Sequence, residues 1–321
     1  MNKIKIGIIG GAGYTAGELL RILIHHPLAE IVFVHSKSNS GKMIYDVHDD
    51  LFGDTNLMFS DNFHNEVDVI FLCVGHGESK ELVKQFDTSI KIIDLSQDFR
   101  LISEGNSFVY GLPELNREVI KIAQHVANPG CFATAIQLAL LPLAEKNLLQ
   151  SDVHITCTTG STGAGQSLSE TSHFSWRQNN LSVYKAFTHQ HLAEIGQSIV
   201  YAQPDFQQSI NMIPQRGAFT RGIMASMYLT CEKSLEEIVN IFETKYENHP
   251  FVFVSKKNIH LKQVVNTNKC LLYLEKQDDK LLIVSIIDNL LKGASGQAVQ
   301  NMNLLFGLEE TMGLKLKPSA F

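Results

Sequence analysis

The sequence predicts an α/β protein of two domains, and three observations carry that prediction. Apolar strand-like runs alternate with amphipathic helical runs over the first third of the chain. From about residue 133 the texture changes to longer strand candidates with fewer helices between them. A glycine-rich turn joins the first strand to the first helix. The length, 321 residues, accommodates two domains and a sizeable core.

The elements follow in order. "KIKIGIIG" (3–10) reads as a strand, and "AGELLRILIHHP" (16–27) as a helix that stops at Pro27. Three more apolar strands are expected at "EIVFVHS" (30–36), "VDVIFLCVG" (67–75) and "IKIIDLS" (90–96), with an amphipathic helix at "ESKELVKQF" (78–86). Such alternation implies a parallel sheet covered by helices on both faces. "FATAIQLALLPLAEKN" (132–147) then reads as a helix. Strands are expected over 152–160, 221–232, 250–255, 269–277 and 280–290, the last two flanking a "DD" turn. Helices at about 189–202 and 234–247 lie among them. Mostly antiparallel strands with helices on one face make this second part α+β. A final helix (295–308), with Ala298, Met302 and Leu305 on one stripe, is expected to return to the first domain. The domains are therefore 1–130 plus about 291–321, and 131–290.

Bulk properties exclude several classes. The apolar fraction of 44 % and charged fraction of 19 % are those of a soluble globular protein. A net charge of −6 leaves no basic surplus for nucleic acid. No run of about 18 apolar residues predicts a membrane span. The glycine-cut N-terminus does not read as a signal peptide. Of five cysteines, Cys73, Cys157, Cys231 and Cys270 sit in strand-like runs and are expected to be buried and reduced. No Cys/His spacing suggests a metal site, and a reducing cytoplasm is expected.

"GIIGGAGYTAGELL" follows a strand and opens a helix, the context of a Rossmann-type dinucleotide-binding turn. Gly10 and Gly11 would permit the turn, Gly13 the approach of a pyrophosphate, and Gly17 close packing of helix on strand. First-turn N–H groups would face the diphosphate. The second strand ends "VFVHSKSNSGK", with no acid before Asp46 for a ribose 2′-OH. Ser36 and Ser38, with Lys37 or Lys42, suit a 2′-phosphate instead, so the expected cofactor is NADP.

One cysteine stands apart. Cys131 follows Pro129 and Gly130 and precedes a helix. A thiol there meets the positive end of the helix dipole and unpaired N–H groups, which favour thiolate and could stabilise an oxyanion. The partner such a nucleophile needs is found in "YKAFTHQHLAEI" (184–195), with Lys185, His189, His191 and Glu194. Three further clusters are polar and glycine-rich. "TTGSTGAGQS" offers Gly160 to Gly165 as a second backbone cradle, for nicotinamide or phosphate. "PQRGAFTRGI" brings Arg216 and Arg221, which could fork onto a carboxylate or phosphate. Asn289, Lys292 and Gly293 look more like site residues than core.

Together the stretches "GAGYTAGELLR", "SNSGK", "DLSQDFRL", "YGLPELNR", "NPGCFAT", "GSTGAG", "HQHLAEI", "TRGI" and "DNLLKGASGQAVQNMNLLFGL" resemble the N-acetyl-γ-glutamyl-phosphate reductases of arginine biosynthesis. The likeness runs from residue 11 to about 308. Phe132-Ala133 and Leu192-Ala193 depart locally from the family pattern, and "PQRGAF" is an insert that leaves the role of Arg216 open. The resemblance implies a catalytic domain of the glyceraldehyde-phosphate dehydrogenase type. It implies attack of Cys131 on an acyl phosphate, a thioester, and reduction by NADPH to a semialdehyde. His189 or His191 would be the acid/base, with preference for His189 and support from Glu194. The cofactor residues expected are Gly10, Gly11, Gly13, Tyr14, Thr15, Gly17, Ser36, Ser38, Ser161, Gly163, Ala164 and Asn289. Arg100, Asn128, Lys185 and Arg221 are expected at the substrate, and no metal. The acyl group, acetyl or succinyl, stays open; a non-catalytic NADP sensor is the alternative. A homodimer or homotetramer is implied.

Overall fold

The computed structural model describes residues 2–319. The chain divides into two units: one runs to Pro129 and takes in Ala294–Lys315, the other is Gly130–Gly293 with the residues from Leu316 on.

The first unit is a parallel sheet of β1 (Ile4–Ile9), β2 (Ala29–His35), β3 (Phe59–Ser60), β4 (Val69–Leu72), β5 (Lys91–Asp94), β6 (Val109–Tyr110) and β7 (His125–Ala127). Their order is β3-β2-β1-β4-β5-β7-β6. The chain runs outward from β1 and then returns to β4 on its other side, so the turn after β1 lies where the strand order reverses. Ligands of open parallel sheets bind at such a point. The interior strands read as continuous apolar runs because both faces are covered; all of β4 is buried. Helices α1 (Tyr14–Leu23), α2 (Ser79–Val83) and α3 (Pro113–Ile122) connect the strands. Helix α3 was not expected from the sequence: its apolar positions are few, and its strongest signal is Pro113 in the first turn. The last helix of the chain, Ser295–Leu305, belongs to this unit and is buried on every side rather than along one stripe. Its polar residues are therefore satisfied inside: Asn301 donates to the Gly111 carbonyl at 2.9 Å, and Asn303 to the Glu310 and Met312 carbonyls.

The second unit is a sheet of β8 (Val153–Thr159), β9 (Ser182–Val183), β10 (Ile210–Arg216), β11 (Ile223–Thr230), β12 (Val252–Ser255), β13 (Cys270–Gln277) and β14 (Lys280–Ile287). Strand order is β12-β13-β14-β11-β8-β10-β9. Pairings β8–β11, β11–β14, β13–β14 and β9–β10 are antiparallel, whereas β8–β10 and β12–β13 are parallel. Strand β10 was not expected, since "INMIPQR" carries proline and polar residues. Helices α4 (Cys131–Ala144), α5 (Phe174–Arg177), α6 (His191–Ala202) and α7 (Leu235–Tyr246) complete the unit, and the final helix is α8. Helix α4 packs between α6, α7 and the sheet, and every residue after Cys131 is buried. Pro142 cannot donate to the Leu138 carbonyl, and the Tyr246 hydroxyl does so instead at 2.6 Å.

Burial lowers the imidazoles of His26, His35 and His125 in the first unit, and of His189 in the second, below 6.5. Below pH 6.5 the unfolded chain takes up protons at these imidazoles that the fold resists. The unfolded state then binds more protons, so stability falls as the pH falls. The melting temperature is expected to drop from pH 6.5 towards 4, and the dependence to be shallower in H26Q. An identical slope in H26Q would remove His26 from this account.

Candidate active site

Cys131 is the first residue of α4, with Gly130 as its N-cap. The N-cap has no side chain to offer to the N–H groups of the first turn. Glu194, buried in the first turn of α6, accepts the Gly130 N–H through Oε2 at 2.9 Å. Its other oxygen lies 3.9 Å from His191 Nε2. One carboxylate thus ties the nucleophile's helix to the imidazole. His191 lies against Gly130 so closely that a Cβ there would fall 2.3 Å from Nε2. On the far side, a Cβ at Gly293 would fall 2.8 Å from the Cys131 Cβ. Two glycines therefore make the room that Cys131 and His191 occupy.

His189 and His191 stand edge to face, with centroids 4.5 Å apart, and the Phe132 ring packs against both. The Nδ1 of His189 accepts the backbone N–H of His191 at 3.2 Å, which fixes that ring. Burial, and then the Lys185 charge, depress His189 to about 4, so it is neutral at ordinary pH. Lys185 donates to Gln190 Oε1 at 3.1 Å. Lys185 and Phe187 both have φ in the left-handed region, +45° and +60°, a strained path that delivers His189 to α6. Of the other thiols, burial pushes Cys73 up to about 12 and raises Cys157 as well. Cys73 lies one residue beyond β4 and is half-buried, not within a strand as its sequence context suggested.

Several residues expected at a ligand also brace the fold. Asn289 accepts the Gly222 N–H at 2.7 Å and donates to Thr162 Oγ1 at 3.0 Å, which uses both ends of a buried amide. The segment Ser161–Ala164 is a 3₁₀ turn whose N–H groups at Ser161, Thr162 and Gly163 donate to the carbonyls of Phe219, Thr220 and Gly160. Those three N–H groups brace the turn against the segment 219–220 and within itself. Arg221 forks onto buried Asp288 at 3.1 and 3.2 Å. Asn128 in the first unit donates to the Ala294 carbonyl and accepts from Asn301. Arg100 is buried and donates to the Leu95 carbonyl at 2.9 Å.

The turn after β1 fits a dinucleotide. Gly10 has φ +79°, and a Cβ there would fall 2.4 Å from the Cys73 carbonyl oxygen, so only glycine is accommodated. A Cβ at Gly13, by contrast, would meet nothing nearer than 3.8 Å, which leaves the backbone open at the mouth of α1. Tyr14 and Thr15 begin that helix; Tyr14 is exposed, and the Thr15 carbonyl accepts Ser295 Oγ. Gly17 makes room for the His48 ring, 2.7 Å from its would-be Cβ, rather than for the strand. His48 in turn bonds the Gly11 carbonyl at 2.8 Å. Beyond β2, Asn39 donates to the hydroxyls of Ser36 and Ser38, and Lys42 donates to Asn39 at 3.0 Å. Both serine O–H groups keep their donor, so the cluster offers donors and a cation. Asp46, the first acid after β2, accepts the Met43 N–H of its own turn. Sequence reasoning had missed Asn39 and Tyr184; "SKSNSGK" held the signal for the first, and the aromatic beside Lys185 for the second.

Comparison with known proteins agrees with this architecture. The semialdehyde dehydrogenase family matches twice, its NAD binding domain over residues 5–123 and its dimerisation domain over 131–289. The N-acetyl-gamma-glutamyl-phosphate reductase of Flavobacterium johnsoniae is 60% identical, over 99% of this chain and 100% of that one. That of Parabacteroides distasonis is 59% identical over the same shares. Among solved structures, aspartate semialdehyde dehydrogenase II of Vibrio cholerae complexed with ASA has a TM-score of 0.75 at 15% identity, covering 96% of this chain and 99% of that chain. Aspartate semialdehyde dehydrogenase with NADP from Candida albicans has 0.69 at 16%, covering 95% and 99%. At such identities the likeness is one of fold.

Proposed function

The chain belongs to the N-acetyl-γ-glutamyl-phosphate reductases of the semialdehyde dehydrogenase family, and from that premise we propose that it reduces N-acetyl-γ-glutamyl phosphate to the 5-semialdehyde through a thioester on Cys131. The observation that carries the reading is the constellation at the start of α4: a half-buried thiol on the first turn, an imidazole against Gly130, and a carboxylate that accepts the Gly130 N–H and faces that imidazole.

Sγ of Cys131 attacks the acyl carbon; the S–C bond forms as the C–O bond to phosphate breaks, and phosphate leaves. The acyl phosphate is activated, so this step asks for orientation more than for extra nucleophilicity. First-turn N–H groups of α4 are placed to stabilise the oxyanion. His191 holds the proton that Sγ gives up and moves it to the oxygen that becomes charged in the second step. We assign that role to His191, whose Nε2 lies at Gly130 and faces Glu194; neutral His189 supports its ring and backbone. Lys185 adds positive charge for an anionic substrate.

The cofactor is a dinucleotide bound by Gly10, Gly11, Gly13, Tyr14, Thr15 and the α1 N-terminus. NADP is favoured because Ser36, Ser38 and Lys42 offer donors where NAD would want a carboxylate. When bound in reduced form, it supplies the hydride. Five free cysteines suit a reducing cytoplasm, and the dimerisation domain suits a homodimer or homotetramer.

The function is tested by NADP reduction with phosphate and either the N-acetyl or the N-succinyl glutamate semialdehyde. Phosphate-dependent turnover of the acetyl compound is expected; none with either compound would contradict the reading, and a preference for the succinyl compound would reassign the acyl group. Ser38→Glu is expected to raise the Kd for NADP at least tenfold, on the order of 1.4 kcal/mol, by repulsion of the 2′-phosphate. An unchanged Kd by titration would place the 2′-phosphate elsewhere.

A further inference from the structure

Arg216 is brought towards the histidine pair by the Tyr184 ring, Arg177 lies beside it, and neither pairs with an acidic side chain among the described residues. They differ in what they do. Arg177 is consumed by the fold: Nη1 donates to the Arg216 carbonyl at 2.7 Å, Nε and Nη2 to the Thr171 carbonyl, and Nη2 also to Ser182 Oγ. Arg216 is not. It ends β10, in register with Thr159 at the end of β8, and its guanidinium lies over the Tyr184 ring, 4.7 Å from the centroid. Its buried Nε donates to no atom of the described residues. The Tyr184 ring continues inward to His189 at 5.9 Å, and His189 to His191 at 4.5 Å, so the cation stands at the outer end of an aromatic row leading to the nucleophile.

A planar cation held on an aromatic face with an unused donor is built to receive an oxyanion. Arg221, the other candidate of the same segment, is already forked onto Asp288. We infer that Arg216 is a specificity-determining residue that binds an oxyanion of the acyl-phosphate substrate, its phosphate or a carboxylate, from the platform of Tyr184. This rests on the function proposed above and adds the residue that reads the substrate's charge.

The test runs the reaction in the oxidative direction, where phosphate and semialdehyde are separate substrates and each has its own KM. R216Q and R216K are compared with the wild-type enzyme, after their melting temperatures show that they fold. A charge-assisted hydrogen-bonded contact predicts a KM increase of about ten- to a hundredfold in R216Q, with a smaller increase in R216K and kcat changed little. If the rise falls on phosphate alone, Arg216 binds the phosphoryl group. If it falls on the semialdehyde, Arg216 binds a carboxylate, and a larger effect with the N-succinyl than the N-acetyl compound puts that carboxylate on the acyl group. Either result supports the inference. Unchanged KM for both substrates in folded R216Q, or a fall in kcat alone, would overturn it. Absence of turnover in the wild-type enzyme would instead overturn the function on which it rests.

Discussion

Cys131→Ser loses kcat by a factor on the order of 10³ or more while the Kd for NADP stays the same. The loss follows from where the sulfur sits. A first-turn position places it among N–H groups that no backbone carbonyl of its own helix can take, and these favour negative charge there. A serine hydroxyl in the same place ionises far less readily and departs less readily from a tetrahedral adduct. The proposed nucleotide-binding residues, Gly10 to Gly17 and Ser36 to Lys42, all lie within the first unit, so the affinity is expected to be independent of the thiol. No other cysteine can substitute: Cys157, Cys231 and Cys270 are buried, and burial holds Cys73 at about 12. Steady-state assay and nucleotide titration of the same preparation check this. Turnover within tenfold of wild type would remove Cys131 from the chemistry.

Gly130→Ala is expected to lower kcat about a hundredfold although it adds a single methyl group. Gly130 has φ −68° and ψ 149°, a conformation alanine adopts without strain, so the backbone raises no objection. The new Cβ would lie 2.3 Å from His191 Nε2 and 2.6 Å from its Cδ2. The ring must move, and its alignment with both Cys131 and Glu194 goes with it. General acid/base catalysis contributes roughly 10²–10⁴ in rate, so His191→Asn should lose at least as much as Gly130→Ala. Because both act on the same imidazole, the double variant should lose little more than His191→Asn alone. Full additivity, or an unaltered kcat in Gly130→Ala, would mean that His191 is not the group that handles the proton.

The strands and helices that carry the site were legible because their patterns were strong. β1 and α1 follow from an apolar run, a glycine turn and a 3.6-residue repeat, and α4 from Pro129-Gly130 followed by an unbroken apolar segment. Cys131 stood out as the thiol at a helix start, and the His189-His191-Glu194 group as a polar set at another. What sequence could not separate was a polar residue that meets a ligand from one that meets backbone. Asn128, Asn289 and Arg221 lie in polar, glycine-rich stretches, yet each spends its hydrogen bonds on the protein. Both uses leave the same trace in a sequence, because a buried polar group must be satisfied either way. The same applies to Gly17, where a glycine read as helix–strand packing makes room for the ring of His48, a residue distant in the sequence that no local pattern marks as its partner. Strand β10 was hidden by Pro214, whose missing N–H is tolerated there, and with it the position of Arg216 beside Tyr184.

Intact-protein mass spectrometry after mixing with N-acetyl-γ-glutamyl phosphate, in the absence of reduced nucleotide, tests the central claim most directly. The account predicts one acyl adduct per chain, released by hydroxylamine, located on the peptide that contains Cys131, and absent from Cys131→Ser. Phosphate release by the wild-type enzyme with no adduct on that peptide would contradict it.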